Sequence, residues 1–99
     1  MTLEVSLEKR CKAAVEARGG MFWKLLPWSL KGIPDRLAIL PGGVIWFVEL
    51  KASGGRASAL QLRWEIKLRR LGCNYLRTSS FEEFSEHLWG RAGPPSPTC

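Results

Sequence analysis

Apolar residues recur at Leu3, Leu7, Cys11, Ala14 and Val15, a spacing that draws one stripe along a helix from Leu3 to about Arg18. Gly19-Gly20 then supplies the left-handed exit on which helices end. After it the pattern shortens. Met21 to Leu26 is aromatic and apolar around Lys24 and predicts a strand, and Pro27 to Gly32 reads as a loop. Arg36 to Leu40 and Val44 to Lys51 flank Pro41-Gly42-Gly43, a tight turn, so the two segments are expected to form an antiparallel hairpin. Val44-Ile45-Trp46-Phe47-Val48 is apolar at every position, the signature of a central strand covered on both faces.

Beyond a Gly-rich loop over Ala52 to Ala57, Ser58 is placed to cap a helix running to about Leu71, with Gly72 closing it. Leu60, Trp64, Leu68 and Leu71 lie on one flank of that helix and Leu62 and Ile66 on another, so it is expected to cover the sheet and to meet a second subunit. Asn74 to Thr78 predicts a last short strand, and Ser80-x-x-Glu83 a capping box opening a helix to about Trp89. The class is therefore α/β: a mixed sheet in αβββαβ order with a C-terminal helix, the helix after the third strand making the crossover. Residues 1–89 form one domain, and the Gly/Pro/Ser-rich stretch 90–99 is expected to be a disordered tail.

At 99 residues the chain has room for one small core. Fifteen Lys and Arg against nine Asp and Glu give a net charge of +6 and a pI near 9.7, so the natural partner is a polyanion. Cys11, Cys73 and Cys99 are an odd set without a C-x-x-C pair, and His87 stands alone, which excludes a disulfide framework and a zinc site. Glu4, Glu8, Lys9 and Arg10 occupy the place where a signal peptide needs an apolar run, and no stretch approaches a membrane span. A soluble cytoplasmic-type protein is expected.

The chemistry gathers around the hairpin. Asp35 stands at the start of one strand and Glu49 near the end of its neighbour, ends that antiparallel pairing brings together. Two carboxylates, with the Leu50 carbonyl as a further oxygen, suit a hard divalent cation that keeps several waters. Glu49 and Lys51 fall on one face of an alternating strand, which puts the ammonium beside an attacking water or a phosphate. The bland alternative is a turn aspartate and a solvated Glu/Lys pair. Their convergence in one strand-turn-strand unit favours a phosphodiesterase site.

Gly32-Ile33-Pro34-Asp35-Arg36, then Phe47-Val48-Glu49-Leu50-Lys51, then Gln61 in the next helix, resemble the VRR-NUC branch of the PD-(D/E)XK nuclease superfamily, over residues 3 to 89. The resemblance implies a restriction-endonuclease-like fold in which Asp35 and Glu49 bind Mg²⁺ or Mn²⁺, Lys51 assists the nucleophile and Gln61 orients water or the ligand shell. It also implies a glutamate on the first helix. Glu8 is favoured and Glu4 is the alternative. Lys24 matches a basic residue often present in such proteins. Lys31, Arg36 and Arg56 flank the site as nucleic-acid contacts, and Arg63, Lys67 and Arg70 form a basic stripe on the second long helix. Trp28, in the loop before Asp35, is a candidate for stacking on a base.

The leading reading is a stand-alone, virus- or phage-type, metal-dependent DNA endonuclease that works as a homodimer. A two-fold pair of sites suits the arms of a four-way junction, while flap cleavage and nonspecific nicking fit the same residues. Such a protein is expected in the cytoplasm or on the nucleoid. The second reading is a DNA-binding or assembly module that keeps the fold without turnover. A restriction-type enzyme ranks last, for want of chain to build a base-reading element.

Overall fold

A computed structural model describes residues 3–25 and 31–90, with the side chains of residues 3 and 4 left out. Helix α1 spans Leu3–Ala17, strands β1, β2 and β3 span Met21–Lys24, Arg36–Leu40 and Val44–Leu50, α2 spans Ala59–Arg70, β4 spans Asn74–Thr78 and α3 spans Phe81–Trp89. The sheet runs β1-β2-β3-β4, antiparallel through the first three strands and parallel between β3 and β4, with α2 as the crossover that a parallel pair requires. Residues 91–99, where a disordered tail is expected, and Trp28 lie outside the described residues.

α1 ends where the glycine pair predicts. The Gly19 N–H donates to the Glu16 carbonyl at 3.0 Å and the Gly20 N–H to the Val15 carbonyl at 3.0 Å, with Gly19 at φ +84°, a left-handed exit that satisfies two terminal carbonyls. The apolar stripe of α1 (Leu7, Cys11, Val15) then packs with Phe84, Leu88 and Trp89 of α3 over one face of the sheet, on Phe22, Ala38, Leu40, Val48, Leu50 and Leu76. Phe84 meets Phe22 and Trp89 edge-on at 5.8 and 5.7 Å, the favoured geometry for buried rings. Burial pushes the Cys11 thiol up to about 12, with Glu8 adding to the rise and Arg10 and Arg36 opposing it, so this cysteine is a protonated core filler at neutral pH.

The opposite face is thinly covered. Cross-strand rows Met21-Ile39-Ile45 and Trp23-Leu37-Phe47 lie on it, while α2 leans on β4 at its far side. Ile45 keeps 43% of its surface exposed, so β3 is not sheathed on both sides as its apolar run predicts, because one helix cannot span four strands. α2 has no fully buried residue. Trp64 and Leu68 are half-buried, whereas Leu60, Leu62 and Ile66 are exposed, and Leu71, expected on the covering flank, is 79% exposed as the C-cap beyond the last turn.

The two helix starts exchange their predicted roles. At α3 the Ser80 hydroxyl accepts the Glu83 N–H at 3.1 Å, but the Ser80 N–H donates to Thr78 Oγ1 at 3.0 Å, so the box is half formed. At α2 it is complete: Ser58 Oγ accepts the Gln61 N–H at 3.1 Å and Gln61 Oε1 accepts the Ser58 N–H at 2.9 Å.

Candidate active site

The β2–β3 register positions the carboxylates. Arg36 pairs with Val48 as the last antiparallel couple, so one step outward sets Asp35 across from Glu49, on the same face of the sheet. The Asp35 carbonyl accepts the Leu25 N–H at 2.8 Å, which keeps its backbone within the β1–β2 pairing. On the far side of Glu49 the parallel register adds Arg77, giving a row of acid, acid and base across three strands. Glu49 is 5% exposed at the point where the apolar run of β3 ends.

Lys51 lies just past β3, its N–H donating to the Thr78 carbonyl at 2.9 Å, and its Nζ stands 3.7 Å from Glu49 Oε2. The loop before Asp35 is locked onto α2 in two ways. The Trp64 indole N–H donates to the Lys31 carbonyl at 3.0 Å, and Gly32, at φ +85°, lies so close to Leu60 that an added Cβ would sit 2.6 Å from its Cγ. Only glycine meets both demands. Pro34 is fully buried beside it.

Arg36, read from sequence as a nucleic-acid contact, is instead 7% exposed. Its Nη1 pairs with Asp35 Oδ2 at 3.1 Å and donates to the Asp35 carbonyl at 3.2 Å, while its Nε faces Glu8 Oε1 at 3.9 Å. A buried guanidinium in contact with Asp35 cannot also face a DNA backbone. Its place on the core side of β2, next to α1, is the reason. Glu8 therefore meets the site through Arg36. The side chain of Glu4 lies outside the described residues.

A second ion cluster backs the row. Glu65 of α2 pairs with Arg69 at 3.0 Å and closely with Arg77. Partial burial would raise the Glu65 carboxyl, but the hydrogen bonds from Arg69 and Arg77 prevail and hold it below the usual range. Burial, and then the charges of Glu65 and Glu49, push the Tyr75 phenol up. Burial would lower the Arg77 guanidinium, but its hydrogen bond to Glu65 and that carboxylate's charge prevail and push it up.

Gln61 has a structural job: its amide oxygen closes the α2 capping box. The x-x spacing from Ser58 was the signal for that role. Lys24, Lys31, Arg56, Arg63 and Lys67 are all exposed, as is Arg70, and Lys67 Nζ stands 5.4 Å above the Trp64 ring. Sequence reasoning passed over Arg10, whose guanidinium stacks on Phe81 at 4.3 Å beside Lys51.

No family model matches the chain. A solved structure described as a VRR_NUC domain superposes with a TM-score of 0.80 at 38% identity, over 87% of this chain and 94% of that one. The chain belongs to the VRR_NUC family. A phage protein, "Putative nuclease p44" of Acyrthosiphon pisum secondary endosymbiont phage 1, is 42% identical over 69 residues, which make up 70% of this chain and 74% of that protein.

Among the described residues no group of three His, Cys, Asp or Glu gathers as a ready metal cage. The oxygens of this VRR_NUC domain that could hold a cation are fewer: two carboxylates in register and the Leu50 carbonyl between Glu49 and Lys51. Hard oxygen donors, few and placed at a strand end, suit a cation that completes its shell with water rather than a thiophilic or imidazole-seeking one.

Proposed function

We propose that this nuclease-fold protein is a divalent-metal-dependent DNA endonuclease, selective for branched DNA such as four-way junctions or flaps, and active as a homodimer. What carries the reading is the row that sets Asp35 opposite Glu49 with Lys51 Nζ 3.7 Å from the latter. The phage relative named as a nuclease agrees with it.

Asp35, Glu49 and the Leu50 carbonyl would hold Mg²⁺ or Mn²⁺. Such an ion, when bound, supplies charge for the non-bridging oxygens and lowers the pKa of a water. The residues do the rest. Arg36 fixes the orientation of Asp35, so that its carboxylate is presented without searching rotamers. Lys51 brings a cation to the phosphate and keeps the electrostatic balance beside buried Glu49. Val48 and Leu50, on either side of Glu49 along β3, are buried, and Glu49 itself is 5% exposed.

DNA is the substrate that the net charge of +6 favours, with Lys24, Lys31 and Arg56 exposed around the row. The uncovered sheet face (Met21, Trp23, Ile45) together with Ile66 of α2 is the surface we assign to a second copy, which would fix the spacing of two sites. No helix among the described residues is long and apolar enough to cross a membrane. An intracellular setting, where DNA is at hand, follows from the substrate.

The test is cleavage of a labelled panel (single strand, duplex, 5′ flap, splayed arm, four-way junction) with Mg²⁺, Mn²⁺ or EDTA, for wild type and Glu49→Gln. The expected result is metal-dependent cutting, strongest on a branched substrate and about a hundred- to a thousandfold weaker in the mutant, since a lost electrostatic contact to a developing charge costs about 10²–10³ in rate. DNA binding without cutting of any substrate in any metal would replace this reading with that of a binding module.

A further inference from the structure

A notch of about 300 Å³ opens at the C-terminal ends of β3 and β4, lined by Lys51 but by neither Asp35 nor Glu49. Arg10, Lys51, Ser53 and Ser79 are among its walls. Its size sits at the small end of ligand sites, and its walls mix the apolar Leu7 and Phe81 with hydroxyls and two cations. The site described above leaves it unexplained.

Arg10 is the informative residue. It projects from α1, its guanidinium carbon lies over the Phe81 ring at 4.3 Å from the centroid, and no ion pair engages it among the described residues. A guanidinium fixed by stacking keeps its edge donors in one plane at little entropic cost, ready for two oxygens of a phosphate. Lys51 lines the same notch while its Nζ reaches Glu49, so one side chain touches both spaces. Glu82 also borders the notch, with its Oε2 taking the Ser80 hydroxyl at 3.3 Å, and two cations outnumber that one carboxylate.

We propose that this notch binds the phosphodiester next to the one being cut, with Arg10 as its principal contact and the Ser53 and Ser79 hydroxyls as additional donors. The assignment rests on the endonuclease reading for the word "next". A strand laid across Glu49 and Lys51 continues past Lys51, and the notch is the first cationic recess it meets there. The subsite grips backbone and carries no base information, so it orients the strand rather than selecting sequence.

A methylphosphonate scan tests it: each phosphate around the cut is made neutral in turn, and both cleavage and binding in EDTA are measured for wild type, Arg10→Gln and Ser53→Glu. The expected result is one flanking position whose neutralisation weakens wild-type binding and kcat/KM by roughly tenfold or more. Arg10→Gln should weaken the unmodified substrate by a similar factor and show no further loss at that position. Ser53→Glu, on an exposed loop, should weaken it by repulsion, with circular dichroism unchanged in both variants. If wild type is indifferent to every flanking neutralisation, or Arg10→Gln stays sensitive at the same position, the subsite is wrong even where cleavage is intact. If nothing is cut, the endonuclease reading fails, and a binding scan in EDTA over every phosphate of the strand decides whether Arg10 grips a backbone phosphate at all, one Arg10-dependent position supporting the notch and none overturning it.

Discussion

Arg36 is the residue whose role changed most between sequence and structure. Between Pro-Asp and an apolar strand it looks like a surface cation, yet it sits on the core side, bridging Asp35 and Glu8. Removing it takes the guanidinium away from the Asp35 and Glu8 carboxylates in a partly dry space. Arg36→Ala is therefore expected to lower unfolding free energy by about 3 kcal/mol in urea titration, in line with other broken buried pairs, and Arg36→Lys to recover only part, because a point charge cannot replace the fork. Glu65 gives a pH signature. Its carboxyl is held below its ordinary value of 4.5 by Arg69 and Arg77, so the stability it lends is present above that value and lost as pH falls through the depressed one. Glu65→Gln should unfold at lower urea than wild type at pH 7, and the gap should close on acidification below about 4.5. That Asp35 comes opposite Glu49, with Lys51 beside it, was legible in sequence because a Pro-Gly-Gly turn fixes the register between the two strands. Gln61 was not, since a glutamine three residues after a serine is equally a cap and a catalytic candidate until the hydrogen bonds are drawn.

At the scale of elements, strand and helix order came through because the switches of period are marked by glycine or proline, and the last, from β4 to α3, by Ser79-Ser80. What a linear pattern does not carry is how much of each face is covered. The apolar run of β3 looks the same whether one or two layers shield it. The element that joins fold to site is the contact between the 31–34 loop and α2, made by the Trp64 indole and by the absence of a side chain at Gly32. Gly32→Ala would have to hold a left-handed backbone and push Leu60 aside, at a cost of about 1–3 kcal/mol. A melting temperature lower by about 5 °C or more is expected by calorimetry.

For the whole molecule, the division is between a dense layer, with α1 and α3 on one side of the sheet, and a light one, where α2 alone leans on β4. The exposed apolar residues of the light side predict self-association: wild type should sediment as a pair of 11.1 kDa chains, and Ile66→Glu or Trp23→Glu as single chains with the fold retained. The same division has a consequence for how the protein opens. Because α2 buries no residue fully, its amides should exchange with deuterium through a local detachment well below the free energy of global unfolding, whereas those of β2 and β3 should exchange only when everything unfolds. Detachment of α2 takes with it the cover over Gly32 and the anchor of Arg77, so this domain should lose its chemistry on warming while its core is still intact. A partner seated on α2, protein or DNA, would raise both thresholds together.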